Sequence, residues 1–247
     1  MRAVRAFRAL GPVDARSVVR DELLIWMMMV PLLMGAGVRF LVPYAAGLIR
    51  QAVGFNLAPY FPLLVSLLAQ IMPLMAGMVI GFLLLDQRDD RTLAAIQVTP
   101  LGLDGYLVYR LALPLALSVV FTAVMIPLTG LAPLGWLDIL LIALSAAPLA
   151  PIMALFLALV AENKVQGLAL TKALGVIVVP PAAAYFIPGS AQWLFGIVPT
   201  FWPARFCWAL QAGDPAGAWI FLAGWAYLAA FLAILVIRFR RMSQKSV

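Results

Sequence analysis

Six stretches of predominantly apolar residues dominate this 247-residue chain, each near the roughly twenty residues needed to cross a hydrocarbon core. They run over Leu23–Leu41, Phe61–Leu85, Leu107–Gly130, Ile139–Val160, Leu168–Ile187 and Ala218–Ile237. Each is apolar on all sides, without the period-two alternation of a barrel strand. Backbone hydrogen bonds must close within a segment in lipid, so helices are expected. Only 11% of residues are charged and 65% are apolar, whereas a soluble domain carries about 25% charged residues. The expected fold is therefore an all-α integral membrane bundle of six transmembrane helices, one domain spanning residues 1–247.

The charges are not spread evenly between the two ends of these spans. Fourteen lysines and arginines fall on the side of the N-terminus, the second and fourth loops and the C-terminal tail. Arg39, Arg50 and Arg205 are the three on the other side. That asymmetry predicts cytoplasmic N- and C-termini, as does an even number of spans. The net charge of +7 is thereby assigned to topology and membrane lipid rather than to nucleic acid. Within residues 1–22, Val4, Phe7 and Leu10 alternate with Arg2, Arg5 and Arg8, the pattern of a basic interfacial helix on the inner leaflet or of a plain basic anchor. These residues lack the small-residue cleavage site of a signal peptide. Residues 188–217 hold Trp193, Trp202 and Trp208 among Pro199, Pro203 and Pro215. This is too apolar for a solvated loop and too broken for a span, so short broken outer helices are expected before the last crossing.

Several chemistries are excluded. Histidine is absent and Cys207 is the single cysteine, so neither a His/Cys zinc site nor a His-dependent triad can be assembled. The spans offer isolated Ser and Thr but no paired acids, which weighs against an intramembrane lipid- or peptide-modifying enzyme. A non-transporting membrane scaffold is the other alternative. Intramembrane ionisable residues, the marks of proton relays and ion paths, are nearly absent, which fits a pathway for apolar or amphipathic molecules. Gln70 on the second span, and Ser118, Thr122 and Thr129 sharing one face of the third, are candidate pathway-lining residues. Alternatively, these hydroxyls bond back to their own helix beside Pro114 and Pro127. Gly77 and Gly81 form a small-xxx-small pair suited to close helix contact.

The densest mixed charge in the interior of the chain is Asp86–Pro100, DQRDDRTLAAIQVTP. Thr92 is placed to cap a short helix over Leu93–Val98, which Pro100 ends. A second polar stretch, Glu162–Lys172, reads ENKVQGLALTK.

The first of these stretches resembles the cytoplasmic loop of type-2 ABC exporter permeases, an acidic–Arg–acidic run followed by Gly-Thr-Leu and closed by Thr-Pro. Arg88, Asp89, Thr92, Leu93, Thr99 and Pro100 match. Gln87 stands where an acid is usual and Arg91 where glycine is frequent. The second stretch is similar to the loop before the fifth span of drug-export permeases of this kind, fluoroquinolone exporters included. The resemblance implies a permease subunit moving an apolar or amphipathic substrate, such as a drug, out of the cytoplasm. It implies a partner, a separate cytoplasmic ABC ATPase that supplies ATP and Mg chemistry, and pairing with a second permease copy or a sister permease. It also implies that residues 86–106 form the coupling loop, with Asp86, Arg88, Asp89, Asp90, Arg91, Thr92, Thr99 and Pro100 at the ATPase contact. Glu162, Lys164 and Lys172 would form a second cytoplasmic loop. The sequence itself has no GxxxxGK[ST] phosphate loop, so no cofactor is expected on this chain.

Overall fold

The computed structural model describes residues 11–12, 14–89 and 102–245, with residues 89, 102–104, 173–174 and 243–245 described as backbone alone. Every regular element among the described residues is helical. After a short helix over residues 14–20 (α1) come α2 (Glu22–Val53), α3 (Phe61–Asp89), α4 (Gly102–Thr129), α5 (Trp136–Ala146) and α6 (Leu149–Val160). They are followed by α7 (Lys164–Leu174), α8 (Val179–Tyr185), α9 (Phe201–Gln211) and α10 (Gly217–Lys245). Six of these helices or helix pairs are long and apolar enough to cross a membrane: 22–53, 58–88, 105–129, 136–160, 164–185 and 217–242. They make the chain a multi-pass membrane protein.

The span boundaries follow capping and proline rather than hydropathy. The first apolar run stops at Leu41 because Arg39 and Arg50 dilute it, yet α2 continues to Val53. Asp21 starts it by accepting from the Leu23 and Leu24 amides. It ends where Gly54 adopts φ 71° and returns its N–H to Arg50 O, a left-handed cap that glycine allows. The fourth run, continuous in hydropathy, is two helices. Pro148 has no N–H to continue the ladder and its ring crowds the preceding turn, so α5 closes at Ala146 and bonding restarts from Ala147 and Pro148. The fifth span is broken too. A 3-10 turn over Gly175–Val178 separates α7 from α8, whose first turn holds Pro180 and Pro181, a place where proline is tolerated.

The second and fourth spans form the centre. In each, 78% of the spanning window is buried, against 17–28% in the other four. Their contact depends on two glycines. A Cβ on Gly77 would lie 2.3 Å from Ala150 O and 2.7 Å from Met153 Cβ, and one on Gly81 would lie 3.0 Å from Leu157 Cβ. Around this pair pack Leu24, Tyr106, Leu107, Leu228, Leu235 and Phe239 from the flanking helices. The outward faces of those helices carry Phe40, Leu41, Val120 and Leu222 in the open, as lipid-facing surfaces do.

Contacts also order the ends. Asp21, Asp86, Arg88 and Lys164 meet at one end, here the polar end. At the opposite end Tyr185 donates to Pro59 O and Trp208 Nε1 to Ser66 Oγ. There α9 packs into the bundle with Phe201, Phe206 and Cys207 buried. Trp193 stands against Phe201, Trp202 and Trp219.

Three outcomes are expected. Gly77→Ala forces apart α3 and α6 and should lower stability by about 1–3 kcal/mol, read as a drop in melting temperature in detergent. Gly47→Ala, with open space around it, should leave it unchanged or slightly raised. Burial pushes the Cys207 thiol up to about 12, so it should resist maleimide in the folded protein at pH 7 and react after denaturation.

Candidate functional site

Successive residues on a helix point about 100° apart, and the last turn of α3 uses this to reach three different spans with three consecutive side chains. Asp86 accepts from Lys164 Nζ at 3.2 Å, at the start of α7. Gln87 accepts from the Tyr106 hydroxyl on α4. Arg88 donates to Ala158 O at 3.1 Å and Ala161 O at 2.7 Å, and also to Glu162 O. The end of a helix leaves carbonyls without intrahelical partners and carries partial negative charge. A guanidinium is therefore a fitting cap for α6 and the turn beyond it.

Lys164 is shared. It also binds Asp21 at 2.7 Å, the cap of α2. That hydrogen bond, with those from the Leu23 and Leu24 amides, holds the Asp21 carboxyl below its usual value of 3.8. Asp21 should therefore stay ionised, and its contribution to the end cluster persist, from neutral pH down through 3.8, being lost only as the pH falls through its lowered value. The loop 161–163 is closed locally: the Glu162 amide donates to Gln166 Oε1 and the Gln166 amide to Asn163 Oδ1. Glu162 thus serves through its backbone, while Lys172 is exposed on the last turn of α7. Asp89 ends α3. Asp90, Arg91, Thr92, Thr99 and Pro100, and the expected helix Leu93–Val98, lie outside the described residues.

A second polar group lies beside the first. Arg110, fully buried, places Nη1 at 2.7 Å and Nη2 at 3.1 Å from the Asp14 carboxylate of α1. Its Nε donates to Tyr106 Oη at 3.0 Å, and Tyr109 donates to Asp14 Oδ2. Removing one partner of such a pair costs roughly 3–5 kcal/mol, whereas replacing both by apolar side chains is often neutral. The sequence reading counted Arg110 as one loop charge among fourteen and passed over Asp14. The signal was the spacing Asp14, Val18, Asp21, an i, i+4, i+7 stripe.

Gln70, Ser118, Thr122 and Thr129 are all buried. Ser118 donates to Leu115 O at 2.8 Å and Thr129 to Ile126 O at 2.7 Å. Gln70 Nε2 donates to Ser66 O at 3.1 Å. Gln70 Oε1 and Thr122 Oγ1 are buried without a hydrogen-bond partner. None of the four lines the apolar cavity of about 100 Å³ formed by Leu74, Ile152, Met153, Phe156, Ile177 and Phe231. Its lining includes Thr200, whose hydroxyl is committed to Ile177 O at 2.7 Å. Among the described residues no three of His, Cys, Asp and Glu stand together as a metal site would need.

A profile described as "Fluoroquinolones export permease protein Rv2686c-like" matches residues 14–236. The chain belongs to this permease family. Two Mycobacterium tuberculosis proteins are similar along their length: the fluoroquinolones export permease proteins MT2760 (strain CDC 1551 / Oshkosh) and Rv2686c (strain H37Rv). Each is 33% identical over 246 residues, covering 98% of this chain and 95% of the relative. No solved structure matches. As an Rv2686c-like permease, the chain is the membrane subunit of a type-2 ABC exporter. It is a transporter component rather than an enzyme, and ATP is hydrolysed in a separate subunit.

In this permease Arg88→Ala leaves one carbonyl in the last turn of α6 and two beyond it without their cation, at a cost of about 1.5–3 kcal/mol for hydrogen bonds to a charged group. Amide exchange should accelerate over residues 158–166 and stay unchanged in α9. Unaltered exchange at 158–166 would mean the clamp is not maintained in the membrane.

Proposed function

We propose that this chain exports amphipathic aromatic molecules, fluoroquinolones among them, driven by a cytoplasmic ABC ATPase that docks on the loop following α3. In this reading the polar end, both termini and residues 1–22 face the cytoplasm, and residues 188–217 lie at the outer surface. Two copies, or this chain with a sister permease, complete the unit. ATP and Mg belong to the ATPase.

The observation that carries the reading is the divergence of Asp86, Gln87 and Arg88. A push on the loop beyond Asp89 acts at once on α7, α4 and the end of α6, and through Lys164 on α2. In this reading Asp90, Arg91, Thr92, Thr99 and Pro100 make the contact with the motor. Asp86 and Arg88 bind neighbouring spans and distribute the displacement. The charge asymmetry supports the orientation. The names of the two relatives support the substrate class.

The breaks in the fourth and fifth spans support helix rearrangement during transport, since interrupted helices recur at transporter sites. Leu149 beyond one break and Ile177 within the other both line the apolar cavity. Gln70 and Thr122, with unpaired buried oxygens, are the polar positions along the pathway in this reading, while the hydroxyls of Ser118 and Thr129 are committed to their own helix.

Cells expressing the permease with its ATPase should accumulate less fluoroquinolone than cells in which that ATPase has lost its phosphate-loop lysine. Arg88→Ala should abolish most of the difference, about tenfold in export rate, while the protein still inserts. Undiminished export without any functional ATPase would overturn the proposal.

A further inference from the structure

The N-terminal helix α1 is fastened to the bundle by two acids, Asp14 within it and Asp21 just past its end. Asp14 and Val18 lie on one face of the helix, and Asp21 follows as the cap of α2. Asp14 is bound to Arg110 of α4 and Asp21 to Lys164 of α7. Val18 packs between them against the main core. Arg16, Val19 and Arg20 point the other way and are exposed. The two attachments differ in kind. Asp21–Lys164 is about 30% exposed on both sides, where an ion pair holds weakly. In Asp14–Arg110 the side chains are 6% and 0% exposed, and the carboxylate meets the guanidinium through both oxygens, a planar fork that fixes orientation as well as distance.

From this pair a continuous polar chain leads to the exit of α3. Arg110 Nε reaches Tyr106, and Tyr106 reaches Gln87. Both neighbours of Gln87 in sequence hold other spans. A buried ion pair is a poor means of gaining stability, because apolar side chains of similar volume do as well. What it adds is a fixed register between two elements. Gln87, a neutral amide, accepts from a hydroxyl that itself accepts from Arg110. Among the described residues, the carboxylate that Arg110 pairs with is that of Asp14.

We propose that Asp14 and Arg110 are positioning residues that lock α1 and the start of α4 to Gln87, so that the N-terminal helix moves with the α3 exit and carries the motor's stroke into the third span. This deepens the transport function proposed above and rests on it.

The test uses the permease purified with its ATPase and reconstituted in vesicles, with ATP hydrolysis, norfloxacin uptake and melting temperature measured together. The informative variant is Asp14→Leu with Arg110→Met, which keeps the site filled. Its melting temperature should be unchanged and hydrolysis within about twofold of wild type, while uptake falls about tenfold, a loss of coupling between two functions. The exchange Asp14→Arg with Arg110→Asp should restore most of the uptake. Wild-type uptake per ATP in the apolar double variant would overturn the proposal. So would uptake, hydrolysis and melting temperature falling together, the behaviour of a simple brace. If the wild-type complex itself shows no ATP-driven uptake of any fluoroquinolone, the function proposed above fails first, and this inference with it.

Discussion

The last turn of α3 holds the polar end of the molecule together. A helix end exposes unpaired carbonyls, and a membrane protein can leave few of them to lipid. Arg88 meets this need for α6 rather than for its own helix, tying the second span to the fourth across 70 residues of sequence. Asp86 and Gln87 extend the same arrangement to the fifth and third spans. Because the three side chains leave one rigid helical turn, the spans they hold cannot shift independently at that end without breaking hydrogen bonds.

The middle of the bundle works by the opposite device. Gly77 and Gly81 remove side chains so that α3 and α6 touch through backbone and short side chains, and dispersion rather than polarity holds them. The four outer spans cover this pair on one side and turn apolar faces outward. Polar fastening at one end and close apolar contact in the middle leave the broken segments as the natural places for change. These are the junction at Ala147–Pro148 and the 3-10 turn at Gly175–Val178. The small apolar cavity is lined by Leu149, just past the first, and by Ile177 of the second.

The number, helical nature and rough position of the spans were legible in the sequence, because burial of all-apolar segments in lipid is a property of composition. Their ends were not. Gly54 stops α2 twelve residues past the apolar run, and Pro148 divides a run that hydropathy shows as continuous. The site was legible in part. Asp86, Arg88 and Lys164 stood out as charges beside spans, but a charge at a membrane boundary reads as topology or as a contact with another protein. Nothing local reveals that Arg88 is committed to carbonyls of a distant helix. Arg110 was the least legible of all, since its partner lies 96 residues away. The helical stripe that presents Asp14 becomes meaningful only once α1 is seen packed against α4. The Gly77/Gly81 pair was visible, but only the structure shows that α6 is what it receives.

The central claim is that the loop leaving the α3 hub lies on the side where a nucleotide-driven motor can grip it. Thr92→Cys, in a protein whose native cysteine is enclosed, offers the direct measurement with a membrane-impermeant maleimide. The account requires labelling in inside-out vesicles, protection when the ATPase is bound, and none on intact cells. Rapid labelling on intact cells would put the hub on the outer face and contradict it.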